Sequence, residues 1–105
     1  MSTPDRVFEA LSSTTRREIL AYLREKPLHA GALAERFEIS KPALSKHLSL
    51  LEGAGLVWRK REGQFVLYGM EREQLAGSLM SFLQEVCPTS RALRRQAKSE
   101  NASDE

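Results

Sequence analysis

The sequence predicts a mainly α fold with one small β-hairpin, about five helices and two strands in all. Three observations carry that reading. Apolar side chains recur at three- and four-residue intervals from Val7 to Leu51 and again from about Glu71 to Val86. Hydroxyl, proline and glycine residues punctuate the joints where helices would start and stop. Between the two helical stretches the pattern changes to β-branched and aromatic residues around a single glycine, Gly63.

Each element follows from its own signals. Val7, Phe8 and Leu11 share one face of a first helix, with Pro4 and Asp5 suited to its first turn. Ser12 to Thr15 interrupt it, and Ser13 is the expected cap of a second helix carrying Ile19, Leu20 and Leu23 and ending before Pro27. On that helix Arg16, Arg17 and Arg24 stand beside Glu18 and Glu25, a pattern of solvated ion pairs. A third, shorter helix is expected from about His29 to Phe37, with Ala30, Leu33, Ala34 and Phe37 on one stripe. Ser40-Lys41-Pro42 is a strong start for a fourth, which keeps Leu44, Leu48 and Leu51 on one face and stops at Gly53-Ala54-Gly55. Leu56 to Tyr68 forms the hairpin, across Glu62-Gly63. Leu75, Leu79, Phe82, Leu83 and Val86 stripe the last helix, which ends at Cys87-Pro88.

At 105 residues the chain has room for one small domain. That domain is expected over 1–88, with a tail at 89–105 that is basic, then acidic, and disordered. Sixteen Lys and Arg against 14 Asp and Glu give a net charge of +2, which permits nucleic-acid binding without requiring it. No apolar run reaches the roughly 18 residues of a membrane span. The first residues lack the apolar core of a secretion signal, so a cytoplasmic location is expected. With Cys87 the only cysteine, an intrachain disulfide and a cysteine-rich zinc module are excluded.

The order of the elements says more than any one residue. Two short helices around a tight turn, the second capped and followed by a basic hairpin, describe a helix-turn-helix with a wing. A helix of this kind fits the major groove of double-stranded DNA, its start facing phosphate and its first turns reaching base edges. With the leucines turned inward, Pro42, Lys46 and Ser49 point outward, flanked by Ser45, with Lys41 at the helix start and His47 on the border. No carboxylate appears on that face before Glu52. Lys46, Ser45, Pro42 and His47 are the expected base-facing residues, with Ala43 against a thymine methyl. Ser40, Lys41 and Arg16 are expected to fix phosphate register, and Lys60, Arg61 and Gln64 to anchor the wing. A basic triplet such as Arg59-Lys60-Arg61 is usually a solvated surface, and an amphipathic helix is usually only a core helix. Together, at the spacing of helix and wing, they favour DNA.

Several separated motifs, in order, resemble the ArsR/SmtB family of winged-helix repressors. Phe8-Glu9-Ala10-Leu11-Ser12 with Thr15-Arg16-Arg17-Glu18-Ile19-Leu20 is similar to its opening. Leu33 to Phe37 and Ile39 to Leu48 are similar to its helix-turn-helix, and Leu51 to Val57 with Arg61-Glu62-Gly63-Gln64 to the helix end and wing. The resemblance covers roughly residues 6 to 86. It implies a homodimeric repressor on an inverted-repeat, palindromic operator, often in its own promoter. Two departures stand out: Ser13-Thr14 replaces a common Asp-Pro, and Glu38 occupies a turn position often held by glycine. Glu38 must then take a strained conformation or a different turn.

The family's metal sensors place cysteines near the helix-turn-helix or Asp and His along the last helix; here the first region is Ala30 to Ala34 and the last helix has neither Asp nor His. No metal and no cofactor are expected. The wing and Ile39 to Pro42 are most similar to a metal-independent branch typified by the autorepressor of the bacterial sporulation-delay operon, which implies a membrane protein partner, or another inducer, as the release signal. Cys87 is either a redox switch or an inert helix-end residue, and the inert reading is the commoner one. The dimer interface is expected to join Val7, Phe8 and Leu11 to Leu75, Leu79, Phe82, Leu83 and Val86, part of that stripe covering the chain's own core. The rival classes are a winged helix that binds only protein and, more remotely, an enzyme. The carboxylate-free helix face argues against the first. The second lacks any nucleophile or carboxylate arrangement around His29 or His47.

Overall fold

The computed structural model describes residues 3–87. The domain boundary expected at residue 88 and the tail beyond it lie outside the described residues. Eight elements follow one another: α1 (Thr3–Leu11), α2 (Thr14–Leu23), β1 (Leu28–His29), α3 (Ala30–Ala34), α4 (Lys41–Gly53), β2 (Val57–Glu62), β3 (Phe65–Met70) and α5 (Arg72–Val86). The winged helix-turn-helix architecture is thus present. The described residues divide into two units, with the division between Leu75 and Ala76, inside α5.

The local rules are visible at the joints. Ser13, in extended backbone, caps α2 by accepting from the Arg16 amide at 3.3 Å. Ser40 caps α4 in the same way, accepting from the Ala43 amide at 3.2 Å, with Pro42 in the first turn. At the other end of α4 the Leu56 amide donates to Leu51 and the Gly55 amide to Glu52. That paired pattern closes the helix and needs a left-handed residue, which Gly55 supplies at φ +76°.

The sheet differs from the expected two-stranded wing. It has three antiparallel strands in the order β1-β3-β2, because Leu28 pairs with Tyr68 and His29 with Leu67. Two residues are too few to show any alternation, so β1 left no periodic signal. Its presence delays α3 to Ala30, and the helix ends sooner than Phe37. The Arg36 and Phe37 amides bond three residues back, to Leu33 and Ala34, tightening the last turn. Glu38 resolves its dilemma by taking a different turn: no described residue other than glycine has positive φ. Glu62 pairs with Phe65, so the hairpin turns on Gly63-Gln64, with Gly63 at φ +63° in the Gly-first pattern of a type II′ turn.

The core lies in the first unit. Val7, Ile19, Leu23, Leu33, Leu48, Leu51 and Leu56 are its largest fully buried side chains. Leu75 packs against its edge. Trp58 lies across from Gly69, where a Cβ would fall 2.1 Å from the indole, so the wing admits only glycine there. Among the described residues no helix is long and apolar enough to cross a membrane.

Candidate nucleic-acid interface

α4 packs against α1, α2 and β2, with Leu44, Leu48 and Leu51 buried. Its opposite face is open. Lys41, Pro42, Ser45, Lys46 and Ser49 are exposed, and Ala43 and His47 half-buried. From Ser40 to Ser49 this surface holds hydroxyls, cations and small apolar groups, without a carboxylate. A capped helix start adds its own positive end. This is a surface of donors, narrow enough at Pro42, Ala43 and Ser45 for close approach to a base edge or a phosphate.

Arg16 corrects the sequence reading. It is only 9% exposed, and each nitrogen of its guanidinium has a partner. Nε donates to the Ala10 carbonyl at 2.8 Å and one terminal nitrogen to the Glu9 carbonyl at 3.0 Å. The other terminal nitrogen lies 3.0 Å from His47 Nδ1. Arg17 likewise donates to the Leu11 carbonyl at 2.7 Å. These two arginines cap the carbonyl end of α1, in place of ion pairs with Glu18 and Glu25. Arg16 is therefore a strut from α1 to α4 rather than an open phosphate contact.

The strut also decides the state of His47. A guanidinium can only donate, so Nδ1 accepts and the neutral ring carries its proton on Nε2. Burial first, then the charges of Arg16 and Lys46, hold the pKa below its ordinary value of 6.5.

In the wing, the basic triplet of the sequence separates. Strand alternation puts Arg59 and Arg61 on one face, with Val57, and Lys60 on the other, with Trp58 and Glu62. All three cations and Gln64 are exposed. Arg61 Nε donates to the Gly63 carbonyl at 3.2 Å, fixing its stem against the turn. His29, which sequence reasoning assigned no role, reaches Glu62 Oε1 at 2.9 Å and stands edge-on to Phe65 at 5.9 Å. It ties β1 to the hairpin, a link invisible without β1.

A helix-turn-helix domain family matches residues 11–57. The transcriptional repressor SdpR of Bacillus subtilis is 42% identical over 73 residues, covering 70% of this chain and 81% of that protein. The arsenic resistance transcriptional regulator ArsR1 of Pseudomonas putida is 39% identical over 72 residues, covering 68% of this chain and 56% of that one. The chain belongs to the ArsR/SmtB family of winged helix-turn-helix transcriptional regulators. Among solved structures, an ArsR-like transcriptional regulator from Rhodococcus sp. RHA1 superposes with a TM-score of 0.74 at 29% identity, over 97% of this chain and 91% of that one.

As in other members of the ArsR/SmtB family, α4 is the second helix of the helix-turn-helix and β2-β3 is the wing. The surface expected for self-association needs one correction. Val7 is 0% exposed, within the core of its own chain, and cannot meet a partner. Leu11 and Leu75 also pack against that core. Phe8 is 40% exposed, and Leu79, Phe82, Leu83 and Val86 keep between 36% and 57% of their surface. Cys87 is half-buried, and its amide bonds the Leu83 carbonyl at 2.8 Å. Among the described residues no three His, Cys, Asp or Glu side chains come together as metal ligands would.

Proposed function

We propose that the chain is a homodimeric repressor of an inverted-repeat operator, its own promoter included, and that no metal ion switches it. One observation carries this reading: the outer face of α4, capped at its start, free of carboxylates over its first turns and locked from behind by Arg16. Ser45, Lys46, Pro42, Ala43 and His47 read bases, while Ser40 and Lys41 hold phosphate. Lys60, Arg61 and Gln64 anchor the wing. The similarity to a repressor by name supports the direction of regulation. Leu79, Phe82, Leu83 and Val86 of α5 supply a self-associating surface and Phe8 of α1 an exposed apolar contact of its own, and in the dimer two copies of α4 would stand about 34 Å apart in successive major grooves. A single small module buries too little DNA for high specificity, and pairing corrects that. Lacking a cluster of metal-binding side chains among the described residues, such a repressor would take its release signal from an inducer or a partner protein.

The test is binding to the DNA upstream of the chain's own gene across a salt series, with and without zinc and oxidant. Tight, palindrome-dependent binding by a dimer, indifferent to both additives, is expected. Binding no tighter than to random DNA removes the proposal and favours a protein-binding winged helix. Lys46→Ala should cost about 1–3 kcal/mol on the operator and little on random DNA. An equal loss on both makes Lys46 a phosphate contact.

A further inference from the structure

We infer that the cleft between α3, α4 and β3 is a binding site for a small carboxylic acid with a short apolar body. The cleft has a volume of about 210 Å³. One water occupies about 30 Å³ of liquid, so this is more than a packing defect. Its walls come from Ala30, Gly31 and Ala34 on one side and Leu44 and Leu48 on the other. The small residues of α3 create the space: a Cβ added at Gly31 would meet nothing within 4 Å. Such walls suit a ring or a short branched chain.

The polar side chains of the cleft, Lys41, Ser45 and Tyr68, can each donate a hydrogen bond, and none is a carboxylate. Tyr68 lines its floor from β3. The residue is 8% exposed, yet no protein group among the described residues bonds its hydroxyl. Among the described residues no sealed side-chain oxygen lacks a partner, so that hydroxyl is open to solvent, and Tyr68 is one of the residues that line the cleft. Lys41 and Ser45 stand at the rim, at the positive start of α4. One ammonium and two hydroxyls among the lining side chains complement a carboxylate better than a neutral head group.

The site has a consequence that rests on the DNA-binding reading. Lys41 and Ser45 also belong to the face proposed to meet DNA. An acid held there places negative charge beside the turn that faces phosphate, and operator affinity falls. The bound acid is then an inducer.

Benzoate, titrated into the full chain without DNA and followed by backbone amide shifts, tests the site itself. Saturable shifts at Ala30, Ala34, Leu44 and Tyr68 are expected, with a Kd of about 1 mM or tighter. Benzamide, of the same shape but neutral, should bind about tenfold more weakly. Tyr68→Phe removes only the hydroxyl; it should keep the fold and operator binding and weaken benzoate about tenfold. Ala34→Leu should fill the cleft and abolish the shifts, and where that variant fails to fold Tyr68→Phe decides alone. Unsaturable benzoate shifts, or equal affinity in wild type and Tyr68→Phe, overturn the site. Adding the operator separates the two claims: bound benzoate with undiminished operator affinity overturns the inducer role alone. Failure of operator binding altogether would leave the amide titration untouched.

Discussion

α4 and α5 are built on the same leucine-rich helical pattern and meet opposite circumstances. In the 13 residues of α4, Leu44, Leu48 and Leu51 are all buried. In the 15 residues of α5 no side chain is, and Leu79, Met80, Phe82, Leu83 and Val86 each keep more than a third of their surface. A contiguous apolar face of that kind marks an interaction surface. Helical periodicity thus reports that a face exists, while the rest of the fold decides what covers it. Tertiary packing supplies most of a helix's stability, so α5 should lean on a partner where α4 leans on its own chain.

Two substitutions press on that contrast. Leu48→Ala should cost about 2–5 kcal/mol of stability by urea unfolding, at every chain concentration. Leu83→Asp should leave that core standing, abolish the dimer in sedimentation and weaken operator binding by about 100-fold. A Leu83→Asp chain that still sediments as a dimer would show that α5 is not the covered face.

The same contrast separates Arg16 from Arg61. Arg16→Met strips the donor from the buried Ala10 carbonyl and from His47, while the Glu9 carbonyl keeps Ser12, so stability should fall by about 1–3 kcal/mol. Arg61→Ala, at the exposed wing, should leave unfolding unchanged and flatten the salt dependence of DNA binding by about one unit of slope. An unchanged slope removes Arg61 from the contact surface.

Much of this was legible in the sequence, for local reasons. Ser13 and Ser40 announce their helices because capping is settled within three residues, and Gly55 and Gly63 fall where the chain needs positive φ. What could not be read was long-range. Arg16 looks like one more surface cation until α1 turns its carbonyl ends toward it. Val7 shares a helical face with Phe8 and Leu11, and periodicity cannot say that it lies in the intramolecular core. β1 exists only by pairing with β3, and it brings His29 to Glu62, 33 positions away. Tyr68 reads as an ordinary strand aromatic, and only α3 and α4 beside it make its hydroxyl notable.

The smallest expected effect lies at His47, where α4 meets the strut. Its pKa is depressed, chiefly by burial and then by Arg16 and Lys46, so the folded chain favours the neutral ring. Between the lowered folded value and the ordinary 6.5 the unfolded chain binds more protons than the folded one. The stabilisation from neutral His47 is therefore complete above about pH 6.5 and is lost as the pH falls through that window. Protonation would also set an imidazolium against the Arg16 guanidinium, 3.0 Å away, and break the hydrogen bond that ties that arginine to α4. His47→Gln keeps an acceptor for Arg16 and cannot titrate. Urea unfolding at a series of pH values should show wild type losing more stability on acidification than His47→Gln, the carboxylates common to both cancelling in the difference. Parallel curves would mean that Arg16 holds α4 equally well against a charged ring.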